Sequence, residues 1–214
     1  MIDSFKHKGL RKKLIEELRS KGITDNRVLA AMDAIPRHFF LDSALEAIAY
    51  QDRALPIACE QTISHPYTVA FQSQLLNITE GEKILEVGTG SGYQTSVLCE
   101  MGAKVYTIER HKPLYTKSKA FLEKLGYFPK CFFGDGYAGL PAYAPFDKII
   151  ITCGAKAIPE ELFKQLKVNG TMVIPVGEET QQEMILLKKT GENEYETSSK
   201  GVFRFVPMLE KRES

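Results

Sequence analysis

The stretch Leu85-Glu86-Val87-Gly88-Thr89-Gly90-Ser91-Gly92-Tyr93 decides how the chain is read. It follows the apolar run 83–87, short and bounded as a buried strand is, and it opens a helical pattern that continues to about Glu100. Glycines between strand and helix permit a tight turn, let a ligand approach bare backbone, and leave the first helical amides facing that ligand. A dinucleotide-binding turn is Gly-x-Gly-x-x-Gly and would put its third glycine at position 93, where this chain has Tyr93. The order here is Gly-x-Gly-x-Gly, with the acidic Glu86 just before the turn. Alone, such a turn is a weak signal, because any tight strand–helix connection recruits glycine.

Context strengthens it. Strand-length apolar runs alternate with helical patterns after Gly81: a strand at 104–109, a helix at 113–125, strands at 130–133 and 147–152, and a helix at 159–166. Strands at 173–176, 184–189 and 202–206 close the series with no helix between them. That alternation predicts an α/β fold, a doubly wound, mostly parallel sheet with an antiparallel C-terminal edge. Glu109 ends the strand after the glycine turn, where an acidic side chain accepts hydrogen bonds from a ribose diol. Gly134-Asp135-Gly136 follows the third strand and would bring Asp135 close to an adenine amino group. All three elements lie at carboxyl ends of successive strands, the place where open α/β sheets bind ligands.

Residues 1–80 read as a helical flank on a core spanning 81–214, together one domain. Phe5, Leu10, Leu14, Ile15 and Leu18 recur at helical spacing behind Ser4, a candidate N-cap. The first 22 residues carry seven Lys/Arg and three Asp/Glu, so this helix is expected to pack on the main domain with a basic, solvated outer face. Further helical pieces are expected at 26–34, which stops before Pro36, and at 43–48. Residues 51–64 look irregular. A helix at 66–76 follows, with Pro66 suited to its first turn and Ser64 or His65 where a cap belongs.

Composition narrows the function. The 214 residues carry 28 basic and 27 acidic side chains, a net charge of +1, which argues against a nucleic-acid binder. Hydrophobic residues at 43% and charged ones at 26% suit a globular enzyme. No apolar run approaches the roughly 18 residues of a membrane span, and the N-terminus lacks the pattern of a signal peptide. Cys59, Cys99, Cys131 and Cys153 are scattered, which fits a reducing cytoplasm, and the four histidines share no metal-ligand spacing. No metal and no membrane or nucleic-acid partner is therefore expected.

The Gly-x-Gly-x-Gly turn resembles the S-adenosylmethionine loop of Rossmann-like methyltransferases. A second block is more specific. Gln61-Thr62-Ile63-Ser64-His65-Pro66-Tyr67, with Val69-Ala70, resembles the signature of protein-L-isoaspartate O-methyltransferases. The likeness continues through 85–94, Ile108-Glu109-Arg110, Gly134-Asp135-Gly136, Ala144-Pro145-Phe146-Asp147, 159–166, Pro175-Val176-Gly177 and Phe205-Val206-Pro207.

That resemblance implies transfer of the methyl of S-adenosyl-L-methionine to the free α-carboxylate of L-isoaspartyl residues in damaged proteins and peptides, releasing S-adenosyl-L-homocysteine. The ester then collapses to a succinimide, which reopens partly to normal aspartate. A carboxylate with a pKa of about 3.5 is already ionised at neutral pH, so no general base is required. Catalysis would then lie in orientation and exclusion of water, consistent with the lack of a His/Asp or Cys/His set. By the same resemblance, Ser64 donates to the substrate carboxylate, and Thr62, Ile63, His65, Val206 and Pro207 flank the substrate. The cofactor would be held by Glu86, Gly88, Thr89, Gly90, Ser91, Gly92, Glu109, Arg110, Asp135, Gly136 and Thr68. Gln181 or Gln182 would also approach it. The family binds extended peptide largely through backbone contacts, which suits an enzyme indifferent to sequence and acting as a monomer. Departures are Tyr137, where many bacterial relatives carry Trp, Cys153-Gly154 in place of two alanines, and Met208 in place of Leu. Rival readings are another S-adenosylmethionine methyltransferase, acting on a small molecule or nucleic acid, and a non-catalytic binding protein of the same fold.

Overall fold

The computed structural model describes residues 2–178 and 180–213. The chain opens with helix α1 (Phe5–Ser20), where Ser4 and His7 form a reciprocal capping box. Helix α2 (Asn26–Ala34) is capped by Asp25. Residues Arg37–Phe40 and Ser43–Ile48 form two 3₁₀ turns in place of the third α-helical piece. The segment that looked irregular contains a minimal antiparallel hairpin, β1 (Leu55–Pro56) with β2 (Thr62–Ile63). Helix α3 (Pro66–Leu76) has its proline in the first turn, and His65 takes the cap position without a side-chain bond.

The core follows as β3 (Lys83–Val87), α4 (Tyr93–Glu100), β4 (Lys104–Glu109), α5 (Lys112–Lys124), β5 (Lys130–Phe133), β6 (Phe146–Ile151), α6 (Glu160–Lys164), β7 (Leu166–Glu178), β8 (Gln181–Lys189) and β9 (Tyr195–Phe203). Seven strands form one sheet in the order β5-β4-β3-β6-β7-β8-β9. Pairing is parallel from β5 through β7 and antiparallel for β7-β8-β9. The expected doubly wound sheet with an antiparallel edge is therefore what the chain forms. Winding reverses between β3 and β6, the crevice at which such sheets bind ligands.

Strand alternation assigns the two faces. Leu85, Val87, Ile149 and Ile151 pack with Leu162 and Phe163 of α6. Ile84 and Ile150 pack with Leu76 of α3 and Leu98 of α4 on the other face. A third cluster joins Leu14, Leu18, Val28 and Met32 of the flank to Tyr93 and Val97 of α4. Burying each such large apolar side chain contributes about 1.5–3 kcal/mol, so the flank is anchored on the very helix that starts at the glycine turn.

Several expectations change. Phe5 is 93% exposed, off the inward stripe of α1. Arg11 is not on a solvated face: it is buried, donates to both oxygens of Asp3 at 3.0–3.1 Å and to the Asp33 carbonyl, and reaches the Tyr50 hydroxyl at 3.1 Å. The helix expected at 159–166 ends at Lys164 because Leu166 already pairs with Phe146 across the sheet. The last strand lies earlier than 202–206, since β8 supplies ladder partners to the polar run at 195–200. Histidines 31 positions apart meet: Asp3, His7 and His38 place one donor atom each within 4.8 Å. Each of the three has protein partners, with Arg11 on Asp3, Glu46 2.8 Å from His7 Nε2, and the Tyr50 hydroxyl 2.7 Å from His38 Nδ1.

Candidate active site

A cleft, open at its mouth, lies at the carboxyl ends of β3, β4 and β6. The glycine turn forms its floor. Gly88, Gly90 and Gly92 have φ of +97°, +53° and +87°. A Cβ at Gly88 would stand 2.5 Å from Thr152 Oγ1, so a side chain there meets both backbone strain and a clash. Thr152 in turn donates its hydroxyl to the Gly88 carbonyl at 2.7 Å, tying the turn to the end of β6. Gly92 caps α4 without a side-chain bond; the Tyr93 N–H donates to Ser91 Oγ at 3.3 Å, and the next amides of the first turn, at Gln94 and Thr95, are the ones left to meet a negative group.

Glu109 is 4% exposed and lines the cleft. Its Oε2 accepts the Gly90 N–H at 2.8 Å and its Oε1 accepts the His111 N–H at 2.9 Å. Each oxygen keeps lone-pair capacity for a ligand hydroxyl. Val87, Ile108, Met208 and Leu209 add apolar walls.

The substrate block meets this floor. Thr62, Ile63 and Ser64 line the same cleft, as do Gly88, Thr89, Gly90, Ser91, Arg110, Gly136 and Pro207. The hairpin that carries Thr62 and Ile63 packs on the turn, Ile57 Cδ1 lying 3.7 Å from where a Gly90 Cβ would be. The Ser64 hydroxyl makes no hydrogen bond to another described residue, so it does not serve as the cap of α3.

Six expected residues do not line the cleft: Thr68, His65, Glu86, Gly92, Asp135 and Val206. Glu86 alternates with Val87 and so points to the opposite face of β3, where Thr95 Oγ1 donates to its Oε2 and its Oε1 has no partner among the described residues. Burial pushes this carboxyl up to about 8. Asp135 spends its oxygens on backbone amides, accepting from Tyr137 at 2.9 Å and from Lys211 at 2.8 Å. Thr68 is buried within α3. Gln182 is locked by the Phe205 N–H, which it accepts at 2.8 Å, and neither Gln181 nor Gln182 lines the cleft.

Other residues line it to which the sequence alone assigned no role in the site. Tyr93 and Gln94 follow the turn, His111 follows Glu109, and Thr152 and Cys153 end β6. The Cys153 thiol is pushed up to about 12 by desolvation and by the nearby Glu109 charge, so it is a protonated wall. The tail at 208–213 runs back past β4. Arg110 Nε donates to the Lys211 carbonyl at 3.0 Å, and the Glu213 N–H donates to the Arg110 carbonyl at 2.7 Å.

A Gly-x-Gly-x-Gly turn, a strand-end acid beside it and an apolar cleft at the switch point define an S-adenosylmethionine-dependent methyltransferase of the Rossmann-like class. The family model described as Protein-L-isoaspartate(D-aspartate) O-methyltransferase matches residues 9–213. The chain belongs to that family. It is 57% identical over 213 residues to the protein-L-isoaspartate O-methyltransferase of Christiangramia forsetii, covering 99% of this chain and 100% of that one. Against the protein of the same name from Flavobacterium johnsoniae it is 54% identical, with the same coverage. A solved protein-L-isoaspartate O-methyltransferase superposes with a TM-score of 0.84 at 29% identity, over 92% of this chain and 65% of that one. A putative one from Plasmodium falciparum, in complex with S-adenosyl-L-homocysteine, gives 0.81 at 26% identity, over 93% and 98%.

Proposed function

We propose that this chain methylates the free α-carboxylate of L-isoaspartyl residues in damaged proteins and peptides, with Ser64 as the residue that holds that carboxylate. What carries the reading is one juxtaposition: the Ser64 hydroxyl, unused by the protein among the described residues, shares a cleft with the glycine turn.

S-adenosyl-L-methionine supplies an electrophilic methyl group when bound. The residues present fit it: the bare turn at Gly88 and Gly90 admits close approach, the start of α4 suits a carboxylate, and Glu109 offers acceptors to a ribose diol. Val87, Ile108 and Met208 suit the faces of a base. The Ser64 hydroxyl donates to one oxygen of an ionised carboxylate and leaves the other free to react. Thr62, Ile63 and Pro207 exclude water from the same space, which raises the effective concentration of the pair. Asp135 and Gln182 act on this site through the backbone they hold rather than by touching a ligand, and Glu86 acts through the Thr95 hydroxyl of α4. The chain acts as a single domain and as a monomer in the cytoplasm. Four free cysteines support that compartment, and no helix among the described residues is long and apolar enough to cross a membrane.

The test is methyl transfer from labelled S-adenosylmethionine to an isoaspartyl peptide and to its aspartyl twin. The isoaspartyl peptide alone should be labelled; equal labelling, or none, overturns the reading. Ser64→Ala should bind S-adenosylhomocysteine normally and turn over slowly. Unchanged turnover removes Ser64 from the mechanism.

A further inference from the structure

Arg37 is fully buried, at 0% exposure, yet no carboxylate among the described residues pairs with it. It sits in the first 3₁₀ turn, far in sequence from either cleft-forming block. Its Nε donates to the Ala49 carbonyl at 3.0 Å, and its Nη2 donates to the Ser64 carbonyl at 2.7 Å and to that of Arg53 at 3.5 Å. Its Nη1 is buried with no hydrogen-bond partner among the described residues. The guanidinium lies over the Tyr93 ring, its Cζ 4.9 Å from the centroid. Burial draws its pKa down to about 10, so the charge persists at neutral pH.

Packing alone does not account for this arrangement. A buried charge held only by carbonyls and a ring face is disfavoured relative to an apolar side chain of similar volume. A methionine would fill the space without an orphaned donor. What the guanidinium adds is a rigid fork that grips two different walls at once, which a lysine cannot reproduce. One wall is Ser64, in the middle of the substrate block. The other is Tyr93, the first residue of α4 after the glycine turn, and both line the cleft.

We propose that Arg37 is a positioning residue for methyl transfer: gripping the Ser64 carbonyl while lying on the Tyr93 ring, it sets the Ser64 hydroxyl at its working distance from the cofactor turn. The inference rests on the reading of Ser64 as the group that holds the substrate carboxylate. In-line transfer demands alignment, and a misplacement of about 1 Å costs on the order of a hundredfold in rate. A hydroxyl just past the end of a two-residue strand has no ladder of its own to fix it, so the fork on its carbonyl supplies what the hairpin lacks.

The experiment compares Arg37→Lys, Arg37→Met, Ser64→Ala and the Ser64→Ala/Arg37→Lys double variant. It measures kcat and KM for an isoaspartyl peptide, and S-adenosylhomocysteine affinity by calorimetry. Arg37→Lys should lose about tenfold or more in kcat and Arg37→Met about a hundredfold, with KM and cofactor-product affinity within about threefold of wild type. The double variant should match Ser64→Ala, because without the hydroxyl there is nothing left to position. Wild-type kcat in Arg37→Lys overturns the proposal. So does a loss of S-adenosylhomocysteine affinity that parallels the loss of rate, which would mark a merely structural arginine. Full additivity with Ser64→Ala overturns it too. If Ser64→Ala itself turns over at the wild-type rate, the Ser64 reading falls instead, whatever Arg37 does. Tyr93→Leu gives a second route that leaves Arg37 in place: it should show the same kcat-selective fall, and unchanged kcat there refutes the coupling even if the Arg37 variants do not fold.

Discussion

Replacing Glu86 by Gln tests how the strand beneath the glycine turn tolerates its own acid. The carboxyl is fully buried, accepts one hydroxyl from Thr95 at 2.5 Å, and leaves Oε1 unpartnered among the described residues. Burial raises its pKa from the ordinary 4.5 to about 8. The folded state therefore holds a proton that the unfolded chain releases between those values, and stability falls as pH rises across that window. Each pH step costs about 1.4 kcal/mol, so roughly 3 kcal/mol has been lost by pH 7 and about 5 kcal/mol above pH 8, where the loss levels off. A glutamine cannot ionise. Urea unfolding of both proteins at pH 5, 7 and 9 should show the wild type losing stability with pH and Glu86→Gln losing about 3–5 kcal/mol less over the same range. Their difference should be smallest at pH 5, where Glu86 is protonated in the folded state. A parallel pair of curves, with Glu86→Gln weaker by the same amount at every pH, would refute the argument and show an ionised carboxylate stabilised by its surroundings.

Gly88→Ala forces a side chain into φ +97° and against Thr152 Oγ1, so strain of about 1–2 kcal/mol and a displaced hydroxyl bond of about 1 kcal/mol should lower the melting temperature by roughly 4–12 °C. An unchanged melting temperature would contradict that geometry. Glu109→Ala leaves the Gly90 and His111 amides without their acceptor, and S-adenosylhomocysteine affinity should fall about 10–100-fold in calorimetry. Retained affinity would remove Glu109 from cofactor binding. Turnover should decline on acidification in step with protonation of the substrate carboxylate, near pH 3.5 to about 4; a rate flat through that range would mean that the nucleophile is not the ionised acid.

Local signals were readable. The cap at Ser4, and Pro66 in a first helical turn, fix where two helices begin, because each depends on the chemistry of one or two neighbouring residues. The apolar runs at 83–87 and 104–109 are strands for the same reason, being buried on both faces. Signals that depend on a partner were not readable. The polar residues Glu196, Thr197 and Ser198 form an edge strand only because β8 presents its ladder to them. Strand parity hid the role of Glu86, since one residue further on the side chain faces the cleft. Asp135 sits where a cofactor acid belongs, yet the Lys211 amide from the far end of the chain takes up its carboxylate.

By itself the sequence determined the class of the fold and the chemistry of the site. Alternating strand and helix patterns dictate the sheet, and the glycine turn, Glu109 and the block around Ser64 are short-range patterns that need no partner from elsewhere in the chain. The tertiary structure decided which of these residues face the same space. It separated Glu86 and Thr68 from the cleft, brought in Thr152, Met208 and Leu209, and set Arg37 between Ser64 and Tyr93. The physical reason is range. Propensities, caps and turns act over a few residues, whereas burying a guanidinium between a carbonyl 27 positions away and a ring on another helix depends on how whole layers pack.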